Sequence, residues 1–108
     1  MATIEISTAA VEYLRSWLAD TSMENAIPYL CWATVDTPKG KHAEGWTIVL
    51  CPRDEKAGVP GVQNLAPIRN LNGIDVMVSE LSFSKHPVSE MKVDLKNEQL
   101  CFNGHPCV

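Results

Sequence analysis

The sequence predicts an α+β fold, a mostly antiparallel β-sheet domain with one N-terminal helix, and three observations carry that expectation. Only one stretch, residues 8–20, repeats its apolar residues at helical spacing. At least five other stretches alternate apolar and polar residues as half-buried strands do, and turn residues separate them. Helix and strands are thus segregated along the chain, which favours hairpins over parallel βαβ units.

Thr3-Ile4-Glu5-Ile6 alternates as a short strand, and Ser7 stands where a helix N-cap is wanted. From Thr8 to Asp20, Val11, Leu14, Trp17 and Leu18 form one stripe, while Glu12, Arg15, Ser16 and Asp20 face away. Asp20, Thr21, Ser22 and Asn25 end the helix by offering the backbone local side-chain partners. Ile27 to Val35 reads as a strand apolar on both faces, so it is central or covered on its outer face by the helix. The polar run 36–45 then reads as a long hairpin loop, and Trp46 to Cys51 as the returning strand.

Pro52, Gly58, Pro60, Gly61 and Pro67 mark 52–67 as an extended irregular crossing. Asn72-Gly73 supplies positive-φ residues for a tight turn, after which Ile74, Val76 and Val78 alternate in a clean strand. Between Glu80 and Glu90, Pro87 and three serines allow one helical turn at most. Met91, Val93 and Leu95 form a strand, 96–98 a turn, and Gln99 to Phe102 its hairpin partner, followed by a short tail.

The chain has 108 residues, enough for one domain that buries about 65% of its unfolded surface. Thirteen acidic and nine basic residues give a formal charge of −4, and the basic residues are scattered, so nucleic acid is not an expected partner. No apolar run approaches the roughly 18 residues of a membrane span, and the N-terminus lacks the basic start and apolar core of a signal peptide. A cytoplasmic protein with no membrane partner is expected, and its four cysteines, Cys31, Cys51, Cys101 and Cys107, are expected to be reduced.

The order of elements resembles the HesB/IscA-like family, the A-type carriers of iron–sulfur cluster biogenesis, over nearly the full length. Ile4-Glu5-Ile6-Ser7-Thr8-Ala9-Ala10-Val11-Glu12-Tyr13-Leu14 is similar to the family's opening strand, Ser/Thr, small pair and leucine. Gly73 to Val78 resembles its glycine-led central strand, and Ser84, Val88, Val93 and Asp94 match a run of the same intervals. Phe102 and Pro106 stand near the family's closing Phe and Asn-Pro. The resemblance implies iron or a [2Fe–2S] cluster held by a Gly-Cys loop and a C-terminal Cys-x-Cys, since iron–sulfur ligation needs converging thiolates. Here Lys41 occupies the first cysteine's place, and Pro106-Cys107-Val108 supplies one cysteine of the pair. A divergent member with altered or lost cluster binding is therefore expected.

Two candidate sites follow. Cys101, His105 and Cys107 offer two thiols and an imidazole to zinc or iron, with a further ligand needed from His42, Cys51 or a second subunit. Alternatively, the 36–46 loop, with Lys41, His42 and Trp46, meets a protein partner on a metal-free adaptor of the same fold. Trp32 and Trp46 flank that loop and are placed to face each other across strands, and a homodimer is one way to cover an open sheet edge. Glu44 beside His42 is an acid–base pair or, more simply, a solvated charge. No phosphate loop, dinucleotide glycine pattern or other catalytic motif appears, so an enzyme is not expected.

Overall fold

Thr3–Ile6 forms strand β1 in the computed structural model, which describes residues 3–36, 38, 40, 42–52 and 67–106, with the backbone alone for Val35 and His42. Ile4 and Ile6 point inward and Thr3 and Glu5 outward, as their alternation requires. Ser7 caps helix α1, Thr8–Asp20, its Oγ accepting the Ala10 N–H at 3.2 Å and donating to Asp94 Oδ1 at 2.8 Å. The Ser7 hydroxyl and then the Leu95 N–H hold the Asp94 carboxyl below the usual carboxylate range. One serine thus starts the helix and ties it to a distant strand.

Strands β2, Ala26–Asp36, and β3, His42–Pro52, pair continuously from Ala26 opposite Pro52 to Asp36 opposite His42. The expected ten-residue loop is therefore corrected to a connection over 37–41. Ala43, Glu44 and Gly45 are strand residues despite their loop-like composition, because β3 is an edge strand and its backbone bonds to β2 do not depend on apolar side chains. Most of the expected irregular crossing, residues 53–66, lies outside the described residues.

Strand β4, Ile68–Leu71, was not expected. It pairs with β5, Ile74–Val78, through Asn72 and Gly73 at φ 51° and 86°. Helix α2, Glu80–Lys85, is slightly longer than the single turn expected, with Ser79 as its N-cap and His86 closing it ahead of Pro87. Strands β6, Glu90–Lys96, and β7, Gln99–Phe102, form the last expected hairpin. The tail adds β8, His105–Pro106, turned back onto β7 by Asn103 and Gly104 at φ 53° and 86°. Asn103 also accepts the Lys92 N–H and donates to the Glu90 carbonyl, fixing this hairpin to the start of β6.

The strands form two sheets, β1-β6-β7-β8 and β3-β2-β5-β4. The α+β class holds, but the β1–β6 and β2–β5 pairs are parallel. The chain between β1 and β6 includes both helices and four strands, and the described chain between β2 and β5 includes β3 and β4, so a count of helices does not reveal them. Both sheets turn one face to a shared core containing Ile6, Leu30, Ile48, Val76, Met91, Val93, Leu100 and Phe102. Ala10, Val11 and Leu14 of α1 and Phe83 of α2 complete it. The helix therefore packs on the inner side of β2. The outer side of β2 carries a separate small cluster of Ile27 and Met77, with Tyr29 and Cys51 against it.

Candidate functional site

The aromatic residues gather where β2, β3 and α2 meet. Trp32 and Trp46 are direct cross-strand partners, so their side chains share the inner face, and their rings meet edge to face at 5.7 Å. The backbone N–H of Trp32 donates to Ser82 Oγ at 3.0 Å, which fastens α2 to β2. That anchor brings the His86 ring parallel to Trp32 at 3.8 Å, while Phe83 packs on Trp46 at 4.6 Å. Aromatic contacts of this kind add about 0.5–1.5 kcal/mol each beyond the area they bury.

Two pockets open beside this cluster. The larger, about 480 Å³, lies between β3 and the β7–β8 hairpin and is lined by Trp32, Glu44, Gly45, Trp46, Val88, Phe102, Asn103, His105 and Pro106. The second, about 270 Å³, is lined by Trp32, Thr34, Glu44, Leu81, Ser82, Lys85 and His86. Trp32 and Glu44 belong to both. Glu44 is exposed, two residues from Trp46 on the same face, and among the described residues its carboxylate has no hydrogen-bond or ion-pair partner. The result is a groove with apolar walls and a carboxylate at its divide.

The fold therefore brings together residues from both candidate sites, but not in the groupings the sequence suggested. Trp46, from the partner-binding set, and His105, from the metal set, line the same pocket. Lys41 lies outside the described residues, and for His42 only its place at the head of β3 is described. Cys107 is also outside them. Cys101 is opposite Asp94 and Pro106, whereas His105 is opposite Phe102. Because neighbouring positions on a strand face opposite sides, Cys101 and His105 point away from each other and cannot converge on one ion within this sheet.

The other described thiols are no better placed for ligation. Cys101 is buried and directs its Sγ toward the Gln99 carbonyl at 3.7 Å. Cys31 and Cys51 sit on the second sheet, and burial, with the neighbouring Cys51, pushes the Cys31 thiol up to about 11. Burial raises the Cys51 thiol as well. Among the described residues no group of three or more His, Cys, Asp or Glu side chains is arranged to hold a metal ion. An iron–sulfur cluster needs converging thiolates, so the described donors alone do not fit one.

The raised Cys31 value has a direct consequence. Burial disfavours the charged thiolate, so a change from 9.0 to about 11 lowers the reactive fraction roughly 100-fold at neutral pH. Timed alkylation at pH 8 with peptide mass spectrometry should show Cys31 labelled slowly in the folded chain and rapidly in denaturant. Prompt labelling of Cys31 in the folded chain would contradict its placement.

Sequence reasoning missed His86, Phe83 and Val88 as neighbours of the tryptophans. No local signal joins Phe83 to Trp46 or His86 to Trp32, which lie on separate elements distant in sequence; the Trp32–Trp46 pairing was legible because both lie on one hairpin. No helix among the described residues is long and apolar enough to cross a membrane. No family model and no curated protein matches the chain. Among solved structures it is similar to the crystal structure of Escherichia coli SufA, involved in biosynthesis of iron-sulfur clusters, with a TM-score of 0.51. The likeness covers 94% of this chain and 77% of that one at 14% sequence identity. At that identity it shows the fold: this chain has the α+β architecture of SufA.

Proposed function

We propose that the protein is a divergent A-type-carrier-like protein, related to iron–sulfur biogenesis, that binds a protein partner in its aromatic groove and has lost the standard cluster site. The observation that carries this reading is the contrast between two places in one fold. The described donors at the C-terminal hairpin diverge, Cys101 to one face and His105 to the other. The groove beside them gathers two tryptophans, Phe102 and a carboxylate unpaired among the described residues into about 480 Å³. Large aromatics in a partly enclosed setting are the usual anchors of protein interfaces.

The similarity to SufA supports placing the partner within cluster assembly, and Lys41 at the family's first cysteine position supports a recognition role over a carrier role. The test is affinity capture with matched variants. Trp46→Ala and Glu44→Lys should lose the partners that the unaltered chain retains, while Val49→Ala, on the exposed outer face, should keep them. Glu44→Lys removes no core packing, so its loss cannot be attributed to unfolding. Equal recovery by all the variants would overturn the reading.

A further inference from the structure

The groove's chemistry points to a particular occupant. Its walls carry the aromatic and aliphatic side chains of Trp32, Trp46, Val88 and Phe102 with the His105 imidazole beside them, and the formally anionic side chain lining it is Glu44. The Asn103 amide accepts from Lys92 and donates to Glu90, which leaves it one N–H and no charge to offer a ligand. Lys85 lines only the smaller neighbouring pocket. The chain as a whole is anionic, at −4, which draws cations toward it. A neutral apolar ligand would gain nothing from the charge of the exposed Glu44, and an anion would meet it with repulsion.

Resting on the reading of the groove as a partner-binding site, we propose that it takes the guanidinium of an arginine side chain presented by the partner protein. A guanidinium is planar, weakly hydrated and always charged, so it can lie against an indole face and donate paired hydrogen bonds to a carboxylate. A lysine ammonium is a strongly hydrated point charge and gains less from aromatic walls. The pocket volume falls within the roughly 300–1,000 Å³ usual for small-ligand sites, ample for one side chain.

The probe is N-acetyl-arginine amide, titrated into the full chain while the three tryptophan indole N–H resonances are followed by NMR. Trp32 and Trp46 should shift saturably, and Trp17, which lies on α1 beside Tyr13, should not. The citrulline analogue keeps the shape and removes the charge, and it should bind roughly tenfold more weakly, as should the arginine probe with Glu44→Gln. Equal response to arginine and citrulline, or no saturable shift at Trp32 and Trp46, would overturn the proposal. If capture still depends on Trp46 and Glu44 while the arginine probe fails, the partner-binding reading stands and the arginine assignment falls. If capture is also unchanged in the variants, both fall.

Discussion

Phe83→Ala should lower stability by about 3–4 kcal/mol and disturb the groove at the same time. Phe83 is the buried residue of α2, joins the shared core and packs on Trp46 at 4.6 Å. A six-residue helix cannot persist on its own hydrogen bonds, because nucleation is unfavourable and few bonds follow it. Its position depends on Phe83, on the Ser79 cap and on the bond from Trp32 N–H to Ser82 Oγ. Without the phenyl ring, α2 loosens and His86 leaves its stack on Trp32, so tryptophan emission should change before global unfolding. Chemical denaturation followed by both fluorescence and far-ultraviolet circular dichroism checks this. A loss under 1 kcal/mol with unchanged emission would show that α2 is held by something else.

Leu30→Ala should cost about the same, about 3–4 kcal/mol, but through the body of the fold. Leu30 is fully buried on the central strand β2, opposite Ile48 on β3 and in register with Val78 on β5. Truncating it opens a cavity where both sheets and α1 contribute, and neighbours fixed in two ladders cannot readily collapse into it. That is a large share of the roughly 5–15 kcal/mol by which domains are stable. The fluorescence and circular dichroism transitions should remain coincident, unlike those of Phe83→Ala. Val49→Ala, on the neighbouring strand but 43% exposed, should be nearly neutral and serves as the control. Comparable losses at Leu30 and Val49 would contradict the assignment of faces in the second sheet.

Much of this architecture was legible in the residues. Ser7 announces α1, the stripe Val11, Leu14, Trp17 and Leu18 sets its buried face, and Asn72-Gly73 marks a hairpin turn whose positive φ angles the structure confirms. Asn103-Gly104 carries the same signal: it is a turn pair that builds β8 from the expected tail and sets Cys101 and His105 on opposite faces. Glu44 and Gly45 looked like loop residues because composition reports solvent exposure, not backbone pairing, and an edge strand has both. The parallel pairs and the stack of His86 on Trp32 depend on long-range docking that no local pattern encodes. The candidate site was thus half visible: Trp32 and Trp46 from their hairpin, the other wall from tertiary structure alone.

We propose that this fold acts through recognition in the groove and not through thiolate ligation. Anaerobic reconstitution with ferrous iron and sulfide, followed by desalting, iron analysis and ultraviolet-visible absorption, tests it most directly. The expected result is folded, colourless protein retaining far less than one iron per chain, with no change on the double substitution Cys101→Ser and Cys107→Ser. Stoichiometric iron with thiolate-to-iron absorption bands, lost in that double variant while the fold is retained, would contradict it.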